Sequence, residues 1–271
     1  MTFSKKWSAP FIVFVIAGTV IPILSIAYYG FTARGGGITL DNVTAMFSDN
    51  HMQALGLSLL LALVSTLVCL IVAFPMAIVL RDSKFGKQGF TIFVLILPMW
   101  MNFLLRTMAW QVLLERAGVI NGILQALGLP RQEMMNTPGA VVLGMVYDFL
   151  PFMILPIYTT ISRLDRSLLE AAADLGADEK TAFWKVTLPL SMPGVISGVS
   201  MVFLPAMTNY VVLDMLYNST YIMGSLIGSY FSAYNWHGGS MIALILLAFI
   251  CLFTLLTGTG EDDHRRGGSV L

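Results

Sequence analysis

Apolar runs at about residues 10–30, 55–80, 90–114, 137–160, 189–213 and 239–257 restrict this chain more than anything else in it. Most reach the roughly 20 residues that carry a helix across a hydrocarbon core about 30 Å thick. Only 11% of the residues are charged, against roughly 25% in an average soluble domain. The runs are continuous and do not alternate, which excludes a transmembrane β-barrel. The expectation is an all-α, polytopic membrane protein with six transmembrane helices, forming one transmembrane domain over residues 1–271.

The first run follows Lys5 and Lys6, as the core of a secretory signal would. It is longer than the usual 7 to 15 residues of such a core and no A-x-A site closes it, so it is read as an uncleaved span. Cys69 and Cys251 both fall inside expected spans and are read as small core residues with no disulfide or metal role. The segment from Asp214 to Gly238 is too short to cross: its apolar part, YIMGSLIGSYF, fits an interfacial or re-entrant piece on the outer side.

The net charge is zero, yet the charges are unevenly placed. With six spans, Lys5, Lys6, Arg81, Lys84, Lys87, Arg163, Arg166, Lys180, Lys185, Arg265 and Arg266 fall on one side. Arg34, Arg116 and Arg131 fall on the other, and Arg106 lies inside a span. The basic side is expected to be cytoplasmic, which puts both termini and the loop at 161–188 there.

That loop contains EAAADLGADEKTAFWKVTLPL, from Glu170 to Leu190. Ser167 and Glu170 have the S-x-x-E spacing of a capping box, so a helix is expected to start at Ser167. Leu168, Ala171, Ala172 and Leu175 then share one face, with Glu170 and Asp174 on another. Gly176 stands where a left-handed C-cap is wanted, and Asp178 can cap a second short helix through Phe183 and Trp184. Pro189 and Pro193 lead back into the membrane. The result is a helix, a glycine bend and a helix, with a narrow leucine and alanine face suited to docking a partner. The alternative is an amphipathic loop lying on the bilayer. Such helices carry Lys and Arg on their polar face, whereas this one offers Glu170, Asp174, Asp178 and Glu179.

Ionisable residues inside spans usually face the bundle interior or a wet cavity. Asp148 lies near the middle of the fourth expected span and Arg106 in the outer half of the third. Straight-helix counting from the cytoplasmic ends puts them at ~18 Å and ~24 Å, so they can pair; a pathway role for Asp148 is the other reading. Asp214, at the outer end of the fifth span beside Tyr210 and Tyr217, is the stronger pathway candidate. Tyr221, Tyr230, Tyr234 and Trp236 follow in a segment without Lys or Arg. Acids and aromatic faces attract an ammonium-rich ligand, although an aromatic interface belt also accounts for the tyrosines.

No phosphate-binding loop of the form G-x-x-x-x-G-K-[ST] is present; Phe85-Gly86-Lys87-Gln88 lacks the Ser/Thr. His51, His237 and His264 are scattered, which gives no catalytic cluster.

The spacing of Glu170, Ala171, Ala172, Gly176, Val186, Leu188 and Pro189 resembles the signature loop of ABC importer membrane subunits, with Val186 replacing the common isoleucine. The resemblance implies a type I ABC importer permease fold whose two short cytoplasmic coupling helices seat in a cleft of the ATP-hydrolysing subunit. By that resemblance Glu170 would contact a basic residue of the ATPase, Ala171 and Ala172 would permit close packing, and Gly176 would set the bend. Several segments further resemble the polyamine (spermidine/putrescine) permeases, PotB type: LPFMILPIY at 150–158, LLEAAADLGA at 168–177, TLPLSMPGVISG at 187–198, LPAMTNYVVLDM at 204–215 and MGSLIGSYF at 223–231.

The implied protein is a non-enzymatic permease subunit in a bacterial inner or plasma membrane, with no cofactor of its own and no nucleic-acid partner. ATP-Mg would be bound by a cytoplasmic ABC ATPase dimer. A second homologous permease and an extracytoplasmic substrate-binding protein would complete the importer in the lipid bilayer. Permeases for iron, sulfate, molybdate and phosphonate share the architecture and stay open as alternatives. A secondary transporter is a further one, but no inverted repeat is found.

Overall fold

The computed structural model of the chain describes residues 9–82, 90–217 and 221–267. Its helices are α1 (Ala9–Val15), α2 (Ile21–Gly30), α3 (Asp41–Ala45), α4 (Asp49–Asp82), α5 (Phe90–Ile96), α6 (Phe103–Leu114) and α7 (Val119–Ala126). These are followed by α8 (Pro138–Ser162), α9 (Arg166–Asp174), α10 (Glu179–Ala182), α11 (Leu188–Thr208), α12 (Tyr210–Leu216), α13 (Met223–Ser232) and α14 (Trp236–Gly267). Among the described residues the only β structure is an isolated bridge between Thr32 and Ile38. Lys5, Lys6, Lys84 and Lys87, on which part of the charge argument rests, lie outside the described residues, as does the Phe85–Gln88 fragment.

Five stretches among the described residues are long and apolar enough to cross a bilayer: Ile12–Gly30, Asp49–Arg81, Pro138–Ser162, Glu179–Thr208 and Trp236–Thr257. The third expected span, 90–114, is not one straight helix. Phe93–Trp100 and Phe103–Ala126 meet at 94°. A 3-10 turn at Leu97–Trp100 contains Pro98, Met101 is extended, and the Asn102 side chain accepts from the Leu104 N–H at 2.8 Å to start α6 afresh. The straight-helix depth for Arg106 therefore does not hold.

The fifth span also departs from expectation. α11 stops at Thr208, and Asn209 (φ −75°, ψ 82°) accepts from the Val212 N–H to begin the separate helix α12. Asp214 thus lies on a short helix beyond a break and does not end the span. At its start, α11 is entered without interruption from α10 through a π-helical turn at Phe183–Thr187.

The chain divides into two compact units. One holds the described residues of 57–220 and those from 253 on. Its core joins α4, α8 and α11 through Cys69, Ala73 and Ala77, through Met153, Ile157 and Ile161, and through Val195 and Val202. On α4, Ser65, Cys69, Ala73 and Ala77 recur every fourth residue and are fully buried, the small-residue stripe that lets membrane helices approach closely. Leu60, Leu63, Leu67 and Ile71, on another face of that helix, are exposed, as a lipid-facing surface requires.

α8 and α11 approach each other closely. A Cβ on Gly194 would fall 2.5 Å from the Thr160 hydroxyl and 2.6 Å from the Pro156 carbonyl, and one on Gly198 2.8 Å from the Met153 sulfur. The other unit holds the described residues of 1–56 with Tyr221–Leu252. There α13 is ten residues long, about 15 Å and too short to cross, as expected. Tyr230 bonds His51 Nε2 at 3.0 Å and lies against Gly238. Cys69 is buried as expected, whereas Cys251 is exposed on α14, because that turn of the helix presents it away from the core.

Gly194→Val should destabilise the protein by about 1–3 kcal/mol through overpacking. Gly56→Ala, in the interior of α4 where an added Cβ meets nothing within 4 Å, should stabilise by up to about 1 kcal/mol. Thermal unfolding of the two purified variants checks this; equal effects would contradict the close α8–α11 contact.

Candidate functional site

Two features of the larger unit bring the sequence-singled residues together: an exposed elbow between α8 and α11, and a cavity around Asp148.

The elbow begins two residues earlier than the S-x-x-E spacing indicates. Asp165 is the N-cap of α9, accepting from the Ser167 N–H at 3.0 Å. The expected capping box is replaced because aspartate is among the strongest N-cap residues and stands first in the chain. Gly176 has φ +83°. Around it, the Gly176 N–H bonds Ala173 O at 2.9 Å and the Ala177 N–H bonds Ala172 O at 3.0 Å, the pair of bonds that defines a Schellman C-cap. Asp178 caps α10 through the Thr181 N–H at 3.0 Å.

Hydrogen bonds from Ser167, the backbone N–H first and then the hydroxyl, hold the Asp165 carboxyl below the usual carboxylate range. The Thr181 side chain and then its N–H do the same for Asp178.

Phe183 turns inward, edge-on to Phe74 at 5.5 Å, and so fastens the elbow to the core. Arg81 of α4 donates to Leu164 O at 3.4 Å. The opposite face is bare: Leu168, Trp184 and Leu175 are 45%, 65% and 90% exposed. Glu170, Ala171 and Gly176 are exposed beside them and Ala172 is half-buried. These side chains form an exposed apolar patch beside Glu170, Asp174, Asp178 and Glu179, which are exposed as well.

The cavity, about 340 Å³, is lined by Phe103, Arg106, Asp148, Phe149, Phe152, Pro205, Thr208 and Asn209. Arg106 and Asp148 are 7% and 3% exposed. Their charges pair at 3.5 Å, longer than the roughly 2.7–2.9 Å of a charge-assisted hydrogen bond. Arg106 Nε and Nη1 and both Asp148 oxygens have no hydrogen-bond partner. The Arg106 guanidinium carbon stands 5.9 Å from the Tyr147 ring centroid.

Asp214 and Tyr210 are exposed on α12 and Tyr217 is half-buried just past it; none of the three lines this cavity. The sequence reading missed Thr208 and the phenylalanines, which hydropathy cannot distinguish from ordinary core. A signal was present in Pro98-x-x-x-Asn102 and Pro205-x-x-x-Asn209, the same breaker-and-cap spacing at both helix breaks.

Fold and elbow together define the membrane-spanning subunit of an ABC importer of the type I permease class. A bacterial ABC transporter involved in the import of the acidic polysaccharide alginate matches this structure with a TM-score of 0.79 over 94% of this chain and 93% of that one, at 15% identity. A model of the family "binding-protein-dependent transport system inner membrane component" matches residues 1–259, and the chain belongs to that family. It is a multi-pass inner-membrane permease, a transport component and not an enzyme.

The spermidine/putrescine transport system permease protein PotB of Haemophilus influenzae is 35% identical over 260 residues, 92% of this chain and 91% of that protein. PotB of Escherichia coli K12 is 36% identical over 222 residues, 80% and 81% of the two chains. The inner membrane ABC transporter permease protein YdcU of Escherichia coli K12 is 32% identical over 231 residues, 80% and 74%.

The caps make a pH prediction. Both carboxyls titrate lower when folded, so their contribution to elbow order is complete above the ordinary aspartate value of ~3.9 and is lost as pH falls through the depressed one. Elbow amides, corrected for intrinsic exchange rate, should keep their protection from about pH 8 to about pH 5. A loss of protection centred near neutrality would contradict the capping assignment.

Proposed function

We propose that this chain is a permease subunit of a polyamine importer, translocating spermidine or putrescine. The observation that carries the reading is the 35% identity to a spermidine/putrescine permease along nearly the full length of both chains. It is supported by the chemistry of the cavity, where a buried carboxylate stands among aromatic rings. Cationic alkylamines suit such a place through charge and cation–π attraction.

The elbow at 161–188 is cytoplasmic in this reading, as are both termini. Glu170, Ala171, Ala172 and Gly176 are its contact with a cytoplasmic ATPase dimer, which binds ATP-Mg. Glu170 meets a basic side chain, the alanines admit close approach and Gly176 sets the angle. Asp148 and Asp214, with Tyr210 and Tyr217, belong to the substrate pathway. A second, homologous permease completes that pathway, and an extracytoplasmic binding protein supplies cargo. A solved relative of the same fold is described in complex with an alginate pentasaccharide-bound periplasmic protein.

The test is uptake by the whole complex in proteoliposomes. Labelled spermidine or putrescine should accumulate only with ATP on the elbow side and binding protein on the other. Uptake of sulfate or phosphonate in place of polyamine would overturn the cargo. Gly176→Val places a β-branched residue where φ is positive, at a cost of about 1–2 kcal/mol. With Glu170→Ala, it should lower ATP-driven uptake about tenfold or more while the spans still insert; each such loss corresponds to about 1.4 kcal/mol of coupling. Wild-type coupling in the double variant would remove the elbow from the ATPase contact.

A further inference from the structure

Asp148 is approached by two breaks in the membrane helices. α6 restarts at Asn102 and brings Phe103 and Arg106 to it. α11 stops at Thr208 and brings its C-terminal turn to the same cavity. A helix C-terminus carries a partial negative charge and favours a cation, and ends of interrupted membrane helices are used in this way. The Thr208 hydroxyl donates its proton back to Leu204 and Pro205 carbonyls, which leaves its lone pairs free to accept from a ligand. Carboxylate, hydroxyl, phenyl faces and the C-terminal end of α11 favour a positive charge, against the weaker opposing pull of the N-terminal ends of α6 and α12 at Phe103 and Asn209. The cation present is Arg106, held at 3.5 Å with hydrogen-bonding groups unused on both sides. A buried pair whose hydrogen bonds are unmade has acceptors left over for a further donor. Parting two buried charges is costly unless another charge replaces the one that leaves, so the pair opens only to a cation.

We propose that Arg106 is a resident stand-in for the cargo's ammonium group. An arriving alkylammonium takes Arg106's place at Asp148, with the Thr208 hydroxyl beside it in the cavity lining. The guanidinium moves further onto the Tyr147 ring, which its central carbon already approaches at 5.9 Å. Two cations then share one carboxylate. The return of Arg106 expels the cargo, so the site never holds it firmly. Without cargo, Arg106 keeps Asp148 neutralised and the cavity closed to other cations. The inference deepens the polyamine reading and rests on it only for the chemical class, a primary ammonium.

The test is equilibrium binding of labelled spermidine, and of n-butylammonium as a generic probe, to the whole permease–ATPase complex in nanodiscs with the binding protein left out. Asp148→Asn should weaken binding of both about tenfold or more, since a hydrogen bond to a charged group is lost. Arg106→Gln should tighten binding several-fold while slowing ATP-driven turnover, because the competitor that drives release is gone. Shifts in the same direction, or no shifts, would show a purely structural ion pair and overturn the proposal.

If Arg106→Gln does not assemble, Tyr147→Leu removes the guanidinium's alternative place and should weaken binding of both probes. Unchanged binding would overturn the proposal equally. Opposite shifts with n-butylammonium in a complex that takes up no spermidine would uphold the exchange and sink the polyamine reading. Spermidine uptake without opposite shifts would do the reverse.

Discussion

The close approach of α8 and α11 is the contact on which the rest of the larger unit depends. Gly194 and Gly198 let α11 lie against the Pro156, Thr160 and Met153 surface of α8 with no room for a methyl group. Tightly packed surfaces of this kind move as bodies and do not deform continuously. The elbow is the covalent link between these two helices. Asp148 lies on the first of them and Thr208 at the far end of the second. In the proposed account a displacement of the elbow would reach both walls of the cavity through these two closely packed helices.

The same unit illustrates how a membrane chain can afford charge. Its lipid-side surface is aliphatic, and its internal seams use small side chains in place of a hydrophobic driving force that does not exist between helices in lipid. Against that background a buried Arg106 and Asp148 are costly, and neither has the hydrogen bonds that would make the pair a good structural clamp. In the elbow, by contrast, the helix ends are closed locally: Asp165, Asp178 and the Schellman turn at Gly176 do so with neighbouring backbone. An element so complete in itself keeps its shape while presenting Leu168, Leu175 and Trp184 outward.

Much of this was legible in the sequence. Run length identifies five crossings directly, because helix rise and bilayer thickness are both constant, and a sixth only where the bent pair Phe93–Trp100 and Phe103–Ala126 counts as one. The helix–glycine–helix elbow could be read because capping and left-handed glycine are local; the identity of the first cap was misjudged, and the second short helix proves continuous with α11 through the turn at Phe183–Thr187. Asp165 precedes Ser167 and captures the helix start. The breaks at Asn102 and Asn209 were not read. Hydropathy reports the environment of a residue and is blind to backbone direction, so a run interrupted by Pro98 and capped by Asn102 looks like an unbroken span. Asp214 was placed at a span's end for that reason. The Arg106–Asp148 pairing was recognised as an alternative, but its unspent hydrogen bonds and its phenylalanine surroundings are properties of three helices at once.

The central claim is that the elbow is the surface through which a nucleotide-hydrolysing partner moves the α8–α11 pair. A photo-crosslinking residue at position 175, the most exposed apolar position of the elbow, tests it most directly in the assembled complex. The account predicts a crosslink to the ATPase subunit from the cytoplasmic side. A crosslink to the extracytoplasmic binding protein, or labelling of position 175 by a membrane-impermeant reagent added outside, would contradict it.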